Sequence, residues 1–276
     1  MTSNQLSLAN EHIQLPNGQQ LAYYDSGTGE QGKPAIVLLH GFCGSSAYWE
    51  EVVPALEKHG RVIVPDLRGH GRSSASDESP YAMELFAGDL LALLEKLNIE
   101  RICLFGHSLG GYISLAFAEQ HAEKLASFSL VHSTAKPDSE EAKGNRDKAA
   151  AALLENGIRP FVEGLVPKLF APAHRDSMKQ VVTHITETGY EASAAGAAAT
   201  ALGMKARPDR TAVLEQLNMP ILLVAGSEDA IVAPANTFSV DGPHVTQVLL
   251  EGSGHMSMVE SPAELSEALI AFINEI

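Results

Sequence analysis

Ser108 sits in Gly106-His-Ser-Leu-Gly110, with a glycine two residues away on either side. That spacing suits a serine on a tight, strained turn, where a Cβ at either glycine would crowd the neighbouring strand or helix. A helix opening just after the turn aims its first N–H groups at negative charge developing beside it. In a chain with 23 glycines the pattern alone carries little weight, and its setting has to supply the rest. A serine hydroxyl is not nucleophilic at neutral pH without a base, so a histidine must serve it. Of the 11 histidines, His255 is the best placed, on the glycine-rich stretch Glu251-Gly-Ser-Gly-His-Met256 that follows an apolar run. His59 and His121 close amphipathic helical patterns, where positive charge suits the helix dipole. His107 is adjacent to Ser108 on a tight turn, His174 and His184 lie in a strand-free region, and His70 reads as structural in a glycine loop. The base needs a carboxylate to hold its tautomer and stabilise the imidazolium. Asp229, in Gly226-Ser-Glu-Asp229, follows another apolar run, although the same letters are ordinary turn chemistry. Glu228 is its immediate rival, and Asp138 a distant one.

Acyl transfer through such a set also needs donors for an oxyanion. His40-Gly-Phe42 directly follows an apolar run, so the Phe42 N–H can supply one donor and the Leu109 N–H the other. No side chain is needed for that role, which leaves Phe42 free to line an acyl pocket and His40 to tie the loop. Cys43 borders this place without an assignable cationic partner, so it reads as inert. Asp66-Leu-Arg-Gly-His-Gly-Arg-Ser73 fails as a phosphate loop, having no Gly-Lys-[Ser/Thr]. It reads as a rigid loop with an internal Asp66–Arg68 or Asp66–Arg72 pairing.

The elements that must position these residues are legible as alternation. Asn17-Gly18 between 12–15 and 20–24 predicts an antiparallel hairpin. The runs 35–39, 61–64, 102–105, 128–131 and 221–224 are short and almost wholly apolar, as strands buried on both faces of a parallel sheet are. Helical patterns at 46–59, 81–97 and 111–121 lie between them, a strand at 245–250 follows, and a helix over 262–276 closes the chain. This predicts an α/β fold, with about eight strands in a mostly parallel twisted sheet and helices on both faces. Residues 134–217 break the alternation with helical pattern and five prolines, and are expected to form a loosely anchored helical cap over a core of 1–133 and 218–276. Ser108, Asp229 and His255 then all follow the C-terminal ends of buried strands, where sites on open α/β sheets gather.

Bulk properties narrow the partners. A net charge of −15 argues against nucleic acid, whose phosphates need Lys and Arg. Two cysteines, Cys43 and Cys103, make neither a disulfide framework nor a thiolate metal cluster. The histidines lack metal-ligand spacing, so no metal or cofactor is expected. No apolar stretch reaches the ~20 residues needed to span a bilayer, and the start of the chain lacks a basic leader and an apolar segment. The expectation is a cytoplasmic monomer or homodimer acting on a small molecule.

Taken together, HGF at 40–42, DLRGHGRS at 66–73, GHSLGG at 106–111, GSEDAIVAP at 226–234 and GSGHMSMVE at 252–260 resemble the lidded α/β-hydrolase superfamily over essentially the whole chain. The chain order Ser, Asp, His is that expected of this superfamily. The resemblance implies Ser108, Asp229 and His255 as a catalytic triad, and a lid between the strands ending at Val131 and beginning at Ile221. A serine at 108 sets the chain apart from the dehalogenase and epoxide-hydrolase branches, which carry aspartate there. The leading expectation is a carboxylic-ester hydrolase working through an acyl-enzyme. The alternatives are a C–C hydrolase or enol-lactonase acting on a ring-cleavage product, or a non-enzymatic receptor that keeps the triad.

Overall fold

Each apolar run becomes a strand because its side chains can be buried on both sides at once. In the computed structural model, which describes residues 6–27, 29 and 32–276, the strands are β1 (Glu11–Gln14), β2 (Gln20–Asp25), β3 (Ala35–Leu39), β4 (Val62–Pro65), β5 (Ile102–His107), β6 (Leu125–Val131), β7 (Ile221–Gly226) and β8 (Val245–Leu250). They form one sheet in the order β1-β2-β4-β3-β5-β6-β7-β8. The first hairpin is antiparallel to its neighbours, and every pairing from β4 to β8 is parallel. Residues of β3, β4, β5, β6 and β7 are buried without exception, while β1 and β8 are the exposed edges.

The helices are α1 (Val53–Leu56), α2 (Met83–Lys96), α3 (Leu109–His121), α4 (Glu140–Asn156), α5 (Ile158–Leu169), α6 (Pro172–Ser177), α7 (Lys179–Gly189), α8 (Ala194–Ala206), α9 (Thr211–Gln216), α10 (Pro234–Thr237), α11 (Ser257–Glu260) and α12 (Pro262–Ile273). Val37 and Leu39 of β3 join Phe86, Leu90, Ile113 and Phe117 of α2 and α3 in one apolar cluster. Ile36 and Leu38 join Leu56, Leu265, Leu269 and Phe272 of α1 and α12 in the other. The side-chain period of two along the strand thus feeds two cores, one on each face. Among the described residues, no helix is long and apolar enough to cross a membrane.

Two expectations need correction. The single helix expected over 46–59 is a 3-10 turn, Ser46–Trp49, followed by the one-turn α1. Asp66 Oδ1 takes the Ser46 N–H at 2.7 Å, and Pro54, with no N–H to give, starts a new helix instead of continuing an old one. The insertion 134–217, expected to be loosely anchored, is held tightly at its small-residue run 192–201. In α8, Ala197, Ala198, Ala199 and Ala201 are buried, and a Cβ on Gly196 would fall 2.9 Å from Gly69 Cα. The backbones meet directly, with Tyr81 N–H donating to Ala199 O and Ser193 N–H to Gly69 O, both at 2.9 Å. Small side chains here permit close approach.

Helices α4–α9 all fall between β6 and β7, with α4 packed on α8 and α5 on α7. Charged clips hold both ends of this insertion. Arg207 reaches Asp138 at 2.8 Å, and Arg210 bonds Glu119 of α3 at 2.9 Å and also Glu84 of α2.

Candidate active site

The chain reverses direction in the sheet at β3, whose neighbours β4 and β5 lie on opposite sides. A crevice opens at such a switch point, beyond the C-terminal ends of the strands. The loop after β3 carries Gly41 and Phe42, and the turn after β5 carries Ser108.

Ser108 has φ 51° and ψ −111°, a left-handed strained conformation for a residue bearing a Cβ. Neighbours over-determine it. Its N–H donates to Val131 O at 3.0 Å, and its carbonyl accepts the Gly111 N–H at 2.9 Å and the Ser133 hydroxyl at 2.8 Å. The flanking glycines allow the turn to seat, since a Cβ on Gly110 would lie 2.6 Å from Leu39 O and one on Gly106 would strike the carbonyl of Gly110. A Cβ on Gly41 would lie 2.7 Å from the His107 ring, so the loop after β3 is pressed onto the Ser108 turn. Among the described residues, neither the Phe42 N–H nor the Leu109 N–H meets a protein acceptor. Leu109 is the first residue of α3, where the helix dipole favours an anion.

Asp229 and His255 are brought together. His255 Nδ1 lies 2.8 Å from Asp229 Oδ2, and both side chains are sealed from solvent. Asp229 Oδ1 accepts the Ile231 and Val232 N–H groups at 2.8 and 2.9 Å. Burial alone would raise the Asp229 carboxyl. The His255 charge and the hydrogen bonds from His132 and His255 outweigh burial and hold it well below the usual carboxylate range. Glu228 is exposed, and Asp138 is engaged by Arg146 and Arg207.

Three further side chains belong to this centre: His132 and Glu260, which the sequence did not single out, and His107, which it weighed only as a rival base. His132, one residue past β6, puts Nδ1 3.1 Å from Asp229 Oδ2 and Nε2 2.6 Å from Ser257 Oγ. Its signal was the one used for the other members, a polar residue directly after a buried strand. His107 donates from Nε2 to the His255 carbonyl at 2.9 Å, with the two rings 4.9 Å apart. Burial keeps His107 well below the ordinary imidazole value, so it stays neutral. Glu260, also sealed, accepts the Met256 N–H at 2.9 Å, the Ala171 N–H at 2.8 Å and His174 Nδ1 at 2.8 Å. The His255 N–H itself donates to Leu169 O at 2.7 Å, so the end of α5 holds the backbone of this histidine.

In the loop at 66–73 Asp66 pairs with Arg72, as one of the two expected pairings had it, but through the Arg72 backbone N–H; among the described residues Asp66 meets neither guanidinium. Asp66 instead accepts Ser7 Oγ, the Ser46 N–H and the backbone N–H of Arg72 at 2.7–2.9 Å. Arg68 pairs with Asp89 of α2 at 2.6 Å, and the Arg72 guanidinium donates to Ala9 O. His40 Nδ1 donates to Gly41 O and Nε2 accepts the Leu67 N–H at 2.9 Å, which ties the Phe42 loop to the Asp66 loop. Burial lowers His40 to about 4 and His70 to about 3, so neither carries charge at neutral pH. Cys43 is fully buried and its thiol is pushed far up.

The ligand atoms of His132, Asp229 and His255 lie within 4.8 Å of one another, a spacing that could hold a metal ion. Both Nδ1 atoms already hydrogen-bond Asp229 Oδ2, so a cation would have to displace those bonds. Phe42 stacks edge-on against Phe161 of α5 at 5.9 Å. Phe161 also lines an apolar groove of ≈ 350 Å³ with Ala152, Pro160 and Leu165.

The pattern for an alpha/beta hydrolase fold matches residues 34–262. A thermophilic esterase from Thermogutta terrifontis superposes with a TM-score of 0.90 at 32% identity, covering 96% of this chain and 98% of that one. An enol-lactonase from Burkholderia xenovorans superposes with a TM-score of 0.85 at 26% identity, covering 96% and 100%. A pimeloyl-[acyl-carrier protein] methyl ester esterase of Aeromonas hydrophila is 30% identical over 87% of this chain and 95% of its own.

Proposed function

The chain belongs to the α/β-hydrolase fold family, and from that premise we propose that it is a serine hydrolase cleaving a carboxylic ester or related acyl bond of a small molecule. The observation that carries this reading is the sealed Asp229–His255 hydrogen bond of 2.8 Å, set one ring contact from the strained turn of Ser108. A carboxylate that accepts Nδ1–H leaves Nε2 of His255 bare, the state a general base requires.

In this reading Ser108 Oγ attacks the carbonyl carbon while His255 Nε2 takes its proton. The N–H groups of Phe42 and Leu109 hold the oxyanion, and their lack of protein acceptors fits that use. The imidazolium returns its proton to the leaving alkoxide, giving an acyl-enzyme. Water then attacks with His255 again as base. No step calls for a cofactor. Residues 134–217 act as the cap, and Phe161 over Phe42 gives the acyl side an apolar wall.

A second reading is favoured by the likeness to an enol-lactonase. Lactone opening uses the same steps, with the leaving oxygen tethered to the acyl group. A fluorophosphonate tests the shared core. It should label wild-type protein on Ser108, and Ser108→Ala should lose both the label and turnover of p-nitrophenyl acetate. Folded wild-type protein with neither label nor turnover would overturn the reading.

A further inference from the structure

His132 makes the candidate centre a group of four. It is fully buried at φ 50°, its N–H fixed on Val224 O of β7 at 2.8 Å. Its ring lies 5.7 Å from that of His255 and 6.0 Å from that of His107. Asp229, as a carboxylate, can only accept, so Nδ1 of His132 carries the proton of the 3.1 Å bond. Nε2 is then an acceptor, and the Ser257 hydroxyl 2.6 Å away donates to it. Burial, the larger effect, lowers the His132 imidazole, and the bond to Asp229 offsets this only in part. A neutral ring with one donor and one acceptor matches both partners.

The carboxylate of Asp229 therefore receives two backbone amides on Oδ1 and two imidazoles on Oδ2. It cannot turn about its terminal bond without losing all four. We propose that His132 is a positioning residue that pins Oδ2 of Asp229 where it can hold the Nδ1–H of His255, with Ser257 fixing the proton on His132 itself. This rests on Ser108, His255 and Asp229 being the reacting set. His132 touches no substrate in that scheme, so its removal should act on kcat and spare KM.

Two amide substitutions separate positioning from mere filling. The nitrogen of an asparagine side chain can stand where Nδ1 stands, and that of a longer glutamine where Nε2 stands. His132→Asn keeps the donor on Asp229 and gives up Ser257, whereas His132→Gln does the reverse. With p-nitrophenyl acetate, His132→Asn should stay within about threefold of wild type. His132→Gln should lose about tenfold or more in kcat at unchanged KM, the scale of one charge-assisted hydrogen bond. Equal kcat in the two variants, whether both high or both low, overturns the proposal. Ser108→Ala and Asp229→Asn run alongside report on the underlying reading, since activity surviving in them refutes that reading and not the role of His132 alone. Asparagine tolerates the left-handed backbone at 132 better than glutamine does. Nitrogen-15 NMR of histidine-labelled wild-type protein therefore supplies a test that needs no variant. His132 must be the Nδ1–H tautomer, and finding Nε2–H there also overturns the proposal.

Discussion

Replacing Asp229 with asparagine keeps the outline of the side chain, yet the four donors around it make the change a large one. Oδ1 accepts two backbone N–H groups at 2.8 and 2.9 Å, and Oδ2 accepts two imidazole N–H groups at 2.8 and 3.1 Å. An amide offers one oxygen. If that oxygen stays with the backbone, the NH₂ group faces both imidazoles, and each must present a bare Nδ1. His255 is then forced to the Nε2–H tautomer and cannot take a proton from Ser108. If the amide turns over, NH₂ opposes two backbone N–H groups that have no alternative state. The first arrangement costs less, so Asp229→Asn should fold and fail. The expected loss is on the order of 10⁴-fold in kcat, the scale of losing an orienting carboxylate, or about 5 kcal/mol of transition-state stabilisation. The assay is p-nitrophenyl acetate hydrolysis near neutral pH, with circular dichroism and Tm to check the fold. Exposed Glu228 supplies the control, and Glu228→Gln should stay within about twofold. An Asp229→Asn enzyme retaining more than about a tenth of wild-type kcat, or a Glu228→Gln enzyme damaged more than it, would refute the reasoning.

The same carboxylate gives stability a pH dependence. Its folded-state pKa is depressed, so the stabilisation is complete above the unfolded value near ~4 and is lost as pH falls toward the folded value. The Tm advantage of wild type over Asp229→Asn should therefore shrink between pH 6 and pH 3, and an advantage that grows there would contradict the sign. Arg210, almost wholly buried, ties the end of the insertion to α2 and α3 through two partly exposed glutamates. Those glutamates can return to water, so Arg210→Ala should cost about 1–2 kcal/mol. A fall in Tm of roughly 2–6 °C by calorimetry is expected, and none at all would count against the clip. Burial raises both thiols, Cys43 and Cys103, so native protein should react with Ellman's reagent only after unfolding; rapid modification of Cys43 would show its burial to be wrong.

The sheet was legible because a strand buried on both faces has no freedom of composition. The runs beginning at Ala35, Ile102 and Ile221 could hardly be anything else, and Gly106 and Gly110 announced close approach. The helix over 46–59 misled, because its apolar spacing survives in space while Asp66 and Pro54 break its hydrogen bonding. The loose anchoring expected of 134–217 likewise fails at 192–201, where small side chains serve contact with Gly69. His132 escaped notice for a different reason. It lies 97 residues from Asp229 in sequence, and only the parallel pairing of β6 with β7 sets the ends of those strands side by side.

The bond from the His255 N–H to Leu169 O also bears on how such an enzyme could be re-engineered. Helices α4–α9 look like a detachable part that could be exchanged for those of another hydrolase to alter substrate range. Residues 169–174 are not detachable in that sense, because Leu169, Ala171 and His174 grip His255 and Glu260 directly. A graft with junctions at 134 and 217 would replace the backbone acceptor of His255 along with Phe161, which packs on Phe42. A graft that leaves 169–174 native would change the wall alone. In the proposed scheme recognition and proton transfer share a splice site, and a chimaera has to be cut on the correct side of it.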